Sequence, residues 1–185
     1  MKKVDEDQLL ASALSYAKEQ LKLESLNGII INAEDLIFEE RVRMNCFYCG
    51  RYNNNWKCPP KIPDLDYKKM ISEFDHSAIV YTKMLLNNEN YNDVRAESSI
   101  MLHKALLLIE KFLWNKGNSM CLSFIGGGCK LCKNGCGKDK CNNPYMSRSP
   151  IEATGVNLIK SLEKYNIEIV FPLKDYMYRF GLILW

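Results

Sequence analysis

Hydrophobic residues recur every three or four positions in two long segments of the chain, and this spacing predicts two amphipathic helices. The first covers residues 5–23, with acidic residues at its start and Asn27-Gly28 as the stop signal. The second covers residues 92–115 and has Asn92 as its cap. Its apolar face is wide, so we expect this helix to contact the protein on more than one side.

Short apolar and β-branched runs between turn signals predict extended segments. They cover residues 28–32, 36–44, 76–86, 119–125, 167–171 and 176–184. Two further helices are predicted, one over residues 66–74 and one that opens at Ser149-Pro150, is interrupted near Gly155 and continues to residue 165. This mixture predicts an α/β or α+β fold, a mixed sheet with flanking helices, in a single domain over residues 1–185.

Two cysteine-rich segments, residues 45–63 and 126–148, interrupt this pattern, and we predict that both are loops. Adjacent prolines exclude a regular helix or central strand from the first, and glycines make the second flexible. Their cysteines are Cys46, Cys49 and Cys58 in the first loop and Cys129, Cys132, Cys136 and Cys141 in the second.

Composition narrows the class of protein. Apolar residues make up 47% of the 185 residues, which is enough for a core. No apolar run approaches the roughly 20 residues that a membrane span needs, and a net charge of +3 does not indicate nucleic acid. We therefore expect that the protein binds neither a membrane nor nucleic acid. The sequence does not indicate an oligomeric state.

The eight cysteines are the most informative feature of the composition. The N-terminal residues carry no export signal, so we expect a cytoplasmic protein in a reducing compartment, where stable disulfides are rare. Clustered cysteines in that setting favour metal binding over disulfide pairing.

The second loop places four thiols within 13 residues, beside glycines that allow the chain to wrap around them. Iron–sulfur clusters use four closely spaced cysteines, whereas structural zinc normally uses two pairs with a long gap between them. We interpret this set as a [4Fe-4S] site, with a compact zinc site as the alternative. Neighbouring lysines should lower the thiol pKa values, balance the charge of a cluster or dock an acidic redox partner.

The first loop offers only three cysteines. A fourth ligand could be Cys121, His76, His103, a backbone group, solvent or a substrate. An open iron would bind substrate, whereas a filled position would leave a centre that only carries electrons. By default we expect Cys121 to be a buried hydrophobe, both histidines to be structural or exposed, and Glu110 to face solvent or pair with a partner.

The motifs together resemble a cysteine-rich family of predicted metal-binding proteins from anaerobic bacteria and archaea. The resemblance covers roughly residues 30–185. It rests on Val42-Arg43-x2-Cys46-x2-Cys49, Trp56-x-Cys58-Pro59-Pro60, Leu102-His103-Lys104 with Glu110, Gly128-Cys129-x-Leu131-Cys132, Cys141-x2-Pro144 and residues 147–155. It implies metal binding, as iron–sulfur, through the seven motif cysteines, and no particular reaction. Cys121 lies outside the pattern.

Three hypotheses follow for function. The first is an iron–sulfur protein that transfers electrons to or from a partner protein through one or two [4Fe-4S] clusters. The second is a redox enzyme whose three-cysteine cluster has an open iron that binds a small substrate. The third is a zinc-stabilised binding module.

Overall fold

An antiparallel sheet organises the chain in this computed structural model, which describes residues 6–86, 90–167, 169, 173 and 175–185. Within those residues the sheet has four strands in the order β1-β2-β4-β3. The strands are β1 Asn27–Ile31, β2 Ser77–Leu85, β3 Leu122–Phe124 and β4 Tyr176–Leu184. The predicted strands over 28–32, 76–86, 119–125 and 176–184 are confirmed, with small differences at their ends.

The two central strands pair along their whole length, from Ser77 opposite Leu184 to Leu85 opposite Tyr176. Both carry near-continuous apolar runs because both faces of the sheet are covered. One face packs Ala78, Val80 and Ile183 into the larger core. The other packs Ile79 and Leu182 into a second core.

Five α-helices lie around the sheet in the described residues, and two of them form the larger core. They are α1 Glu6–Leu21, α2 Glu40–Tyr48, α3 Tyr67–Ser72, α4 Tyr91–Asn115 and α5 Leu158–Glu163. Helix α1 buries Leu10, Ala13 and Ala17 against α4, which also packs on the central strands. The broad contact face predicted for the long helix is therefore confirmed, and this helix begins one residue earlier than expected.

The extended segment predicted over residues 36–44 is wrong for its second half. Residues from Glu40 onward form α2, because glutamate, arginine and methionine favour helix and outweigh the short apolar pattern. Residues 36–39 are extended, and Phe38 forms a bridge with Val156. Helix α2 also enters the predicted loop over 45–63, so Cys46 lies in its last turn.

The helix predicted to open at residue 149 is two short elements. A 3-10 helix covers Ile151–Thr154, and α5 follows after Gly155, whose φ of +93° only glycine adopts without strain. The predicted interruption is confirmed. Most of the strand predicted over 167–171 falls outside the described residues.

The fold is α+β, one of the two predicted classes, with a sheet and flanking helices as expected. The three strand pairings among the described residues are all antiparallel, where a mixed sheet was expected. No described helix combines the length and apolar character that crossing a membrane requires.

Candidate metal centre

The four cysteines of the second loop line one cavity of about 450 Å³. Its wall also includes Arg51, Asn55 and Trp56 from the first loop. A water molecule takes up about 30 Å³ in the liquid, so this space can accommodate a group of several atoms. Four sulfur donors around such a space are the donor set that iron–sulfur clusters and structural zinc use.

Side chains of the first loop hold the second loop in place. Asn55 Nδ2 donates to the Cys129 carbonyl at 3.0 Å, and Arg51 Nη1 donates to the same oxygen at 3.4 Å. Trp56 Nε1 donates to the Gly137 carbonyl at 2.8 Å. Asn55 is 3% exposed and is itself fixed because its Oδ1 accepts the backbone N–H of residue 57 at 2.9 Å. We call Arg51, Asn55 and Trp56 the clamp.

The glycine run lets the two loops approach closely. A Cβ at Gly128 would overlap the Arg51 side chain and lie 3.4 Å from the Cys58 sulfur. Gly127 has a φ of +75°, which bends the chain as it leaves the sheet. Glycine at 127 and 128 therefore serves the wrapping predicted from the sequence, and it brings Cys58 beside the start of the second cysteine set.

Polar groups point at three sulfurs of the second loop. Asn143 Nδ2 donates to Cys132 Sγ at 3.1 Å, and the Ser147 hydroxyl lies 3.4 Å from Cys141 Sγ. A hydrogen bond from the Leu131 backbone N–H favours the thiolate of Cys129. Such donors stabilise negative charge on sulfur, which thiolate ligands carry.

Burial has the largest effect on the pKa values of the thiols nearest the junction of the two loops. Burial raises the pKa of Cys58 to about 12, with Arg51 opposing the shift, and it also raises the pKa values of Cys46 and Cys129. The expectation that nearby lysines lower the pKa values of the second-loop thiols is wrong for Cys129. The second-loop lysines Lys133, Lys138 and Lys140 are exposed, where water screens their charge.

Lys130 differs from those lysines. Its ammonium donates to the Arg95 carbonyl at 3.4 Å, and burial lowers its pKa to about 8, with Arg179, Arg51 and Arg95 adding to the shift. It therefore belongs to a group of four cations close to the cysteine loops.

The side chains considered as a fourth ligand for Cys46, Cys49 and Cys58 are engaged elsewhere. Cys121 Sγ donates to the Asn118 carbonyl at 2.9 Å. His76 Nδ1 lies 2.6 Å from Glu6, and His103 Nε2 lies 2.9 Å from the Met146 carbonyl. Both histidines therefore have the structural surroundings that we expected, and Cys121 packs beside the larger core.

Glu110 is buried and does not face solvent, so one of the two expectations for it is wrong. Its carboxylate pairs with the Arg148 guanidinium and accepts the Ser123 hydroxyl. Arg148 also donates to the Tyr145 and Ser147 carbonyls, each at 3.0 Å. This ion pair ties the end of the second loop to α4.

All eight cysteines are free thiols. Within the described part of the chain, no three cysteine, histidine, aspartate or glutamate side chains converge tightly enough to hold a single metal ion. The seven motif cysteines instead form two neighbouring groups, with Cys58 and Cys129 near enough to influence each other's charge. Their identity as ligands stays a prediction.

Sequence reasoning missed several residues around these groups. Arg51 and Asn55 stand between the cysteines of the first loop, which was their only signal. Arg179 had a stronger sequence signal, since it is a cation within the apolar strand β4. Glu152 is half-buried, and its carboxylate accepts the Gly127 N–H at 3.2 Å. Its negative charge contributes to the raised pKa of Cys46.

Comparison with known proteins gives one match. A family model described as "Predicted metal-binding protein (DUF2284)" matches residues 29–185. Searches of curated proteins and of solved structures returned no match.

Proposed function

The chain belongs to this family of predicted metal-binding proteins, and on that premise we propose that it is an iron–sulfur protein that transfers electrons. Cys129, Cys132, Cys136 and Cys141 would hold one [4Fe-4S] cluster. The three cysteines of the first loop would hold a second.

One observation carries this proposal, namely the shared cavity that the four second-loop cysteines line. Its size suits a multi-atom cluster better than one ion. The spacing of the four cysteines adds support, because it has no long gap of the kind that separates the two ligand pairs of a zinc site.

When bound, a [4Fe-4S] cluster supplies one-electron redox chemistry. The residues of this chain set the surroundings in which it works. The amide of Asn143 favours negative charge on the Cys132 sulfur, and hydrogen bonds of this kind raise a reduction potential. The indole of Trp56 forms part of the cavity wall.

The partner in electron transfer would be an acidic redox protein. Lys133, Lys138 and Lys140 are exposed on the loop that carries the four cysteines. A positive surface beside a redox centre attracts and orients a negatively charged partner. A reducing compartment such as the cytoplasm is the setting that we propose for this exchange.

A redox enzyme is the second candidate, and the three-cysteine set favours it. The three side chains considered as a fourth ligand lie elsewhere, as described above. A separate cavity of about 660 Å³ borders Asn45, the residue before Cys46. An open coordination position next to a cavity is what substrate binding at iron requires.

Anaerobic purification with counts of iron, sulfide and zinc per chain tests the proposal. We expect about four irons per chain for one cluster or about eight for two, with matching sulfide and a brown colour. Zinc without iron would establish the binding module instead. A spectral change when small ligands are added to the reduced protein would favour the enzyme over the carrier.

A further inference from the structure

The cavity of about 660 Å³ lies against β4, the first turns of α4 and the 3-10 helix. Three arginines, Arg41, Arg95 and Arg179, line it. Since arginine presents a planar fork of donors that matches carboxylate and phosphate, the pairing state of each guanidinium decides what the cavity can bind.

The three arginines are not equivalent. Arg41 is neutralised by Glu39, with its Nε 2.6 Å from one carboxylate oxygen and its Nη2 3.0 Å from the other. Within the described ranges, neither Arg95 nor Arg179 forms an ion pair with a carboxylate. Arg95 is exposed and Arg179 is half-buried, so both can meet a ligand that enters the cavity.

Arg179 is oriented by hydrogen bonds, and it has both a cation and a carboxylate near it. Its Nη2 donates to the Arg95 carbonyl at 3.3 Å, and its Nε lies 3.4 Å from the buried Ser98 hydroxyl. Burial lowers the pKa of Arg179; the nearby Glu152 carboxylate opposes this, and the like charge of Arg95 adds to it. The Glu152 oxygens themselves accept the Gly127 N–H.

The rest of the wall is largely apolar. It includes Val156, Leu158, Met177 and Phe180, and one carboxylate, that of Glu152, also lines the cavity. A ligand that fits this wall needs an apolar body as well as a charged head, because burying a wholly hydrated ion there would cost its hydration without compensation.

We propose that this cavity binds a small organic oxyanion, a carboxylate or a phosphate ester, with its charged head on Arg95 and Arg179 and its apolar body against Met177 and Phe180. The ligand would lie close to the cysteine loops. The Arg95 carbonyl accepts from both Arg179 and Lys130, and Lys130 follows Cys129 directly. This inference goes beyond electron transfer and does not depend on which metal the cysteines hold.

Calorimetric titration of the anaerobically purified protein, with its metal content as isolated, tests the site. The probes are hexanoate and hexyl phosphate, with hexan-1-ol, acetate and inorganic phosphate for comparison. We expect saturable binding of at least one hexyl anion, and binding at least about tenfold weaker for the alcohol and the two small ions. The stronger hexyl anion identifies the preferred head group.

The variants separate the arginines. Arg95→Gln should weaken binding of the hexyl anion by about tenfold or more, because an exposed side chain on α4 can change without disturbing the core. Arg41→Gln is the matched control and should change binding by less than about twofold, since Glu39 already neutralises that guanidinium. Arg179→Lys keeps the charge but loses the fork and should weaken binding by an intermediate factor.

Equal affinity for the alcohol, equal weakening in both glutamine variants, or no saturable binding of either hexyl anion would overturn this inference. Iron counts on the same samples keep the two proposals apart. Binding without iron removes only the iron–sulfur proposal, and iron without binding removes only the oxyanion site.

Discussion

The two cysteine loops are built on different principles. The first has Cys46 in the last turn of α2, buries Cys58 to 5% exposure and leaves Cys49 exposed. The second is wrapped around a cavity, has polar donors on its sulfurs, and is tied to α4 through Arg148.

This difference assigns the loops different tasks. The four cysteines of the second loop line one cavity, and the clamp and Glu110 hold that loop in position. The first loop supplies the clamp as well as its own three thiols. A change in the clamp should therefore reach the second loop, whereas a change in a cysteine of either loop should remain local.

The largest expected effect comes from removing one thiol of the second loop. Cys132→Ser should lose the metal of the second loop and lower the melting temperature, because metal binding at such a site contributes directly to folding. Iron and sulfide analysis with a thermal melt measures both effects, and metal should remain in the first loop.

Two companion variants sharpen that experiment. Cys49→Ser changes an exposed thiol of the first loop and should remove only the first-loop metal. Cys121→Ala should leave the metal content unchanged. Full metal content in Cys132→Ser contradicts the assignment, and loss in Cys121→Ala would make that residue a ligand.

Breaking the Glu110–Arg148 pair should have the next largest effect. Glu110→Gln leaves the guanidinium of Arg148 largely buried without its counter-charge, which should cost about 3 kcal/mol of unfolding free energy. Urea denaturation measures this loss. Glu97→Gln on the exposed side of the same helix is the control and should stay within about 0.5 kcal/mol of the parent. Equal stability of the two variants would show that the pair does not anchor the loop.

The clamp can be weakened with a smaller change. Asn55→Ala removes the donor to the Cys129 carbonyl and should cost about 1 kcal/mol, with faster release of metal from the second loop to a chelator. Asn54→Ala is the matched control, since Asn54 is exposed and donates only to Gly50 at 3.3 Å within its own loop. If both variants release metal at the parent rate, the loops are independent.

The elements predicted correctly from the sequence are those in which one physical signal dominates. Helix α4 has a long periodic pattern, and β4 has a continuous apolar run that suits a central strand. The sequence does not predict helix α2, because its hydrophobic pattern is weak and because Cys46 belongs to a segment that adjacent prolines mark as a loop. Propensity for helix in the residues from Glu40 onward was the better guide.

Cysteine spacing predicts the ligands of both groups, and these stay a prediction. The residues that support the two loops had no comparable signal in the sequence. Glu110 looked like a surface residue because its partner, Arg148, lies 38 positions away. Arg179 and Arg95 meet only through the fold, so no local pattern could join them.

The smallest predicted effect concerns pH. Burial lowers the pKa of His103 from 6.5 to about 4, against a smaller opposing influence from the Met146 carbonyl; Arg148 also lowers it and Glu110 raises it. The unfolded chain then takes up a proton near pH 6.5 while the folded chain does not. Stability is therefore complete above pH 6.5 and declines as pH falls towards 4.

Between about pH 7.5 and about pH 5.5 this group should account for a loss of roughly 1 kcal/mol. Urea denaturation at the two pH values measures it. His103→Gln keeps an amide donor for the Met146 carbonyl but cannot titrate, so it should lose this part of the pH dependence. An unchanged dependence in that variant would place its origin in other groups.

The position of β4 in the sheet has a consequence for synthesis of the protein. Strand β4 lies between β2 and β3, yet it follows all eight cysteines along the chain. Translation adds about 5–20 residues per second, so the thiols leave the ribosome several seconds before the strand that completes their scaffold. During that interval the nascent cysteines are exposed to oxidants and to other metals, while β2 and β3 still lack the strand that lies between them.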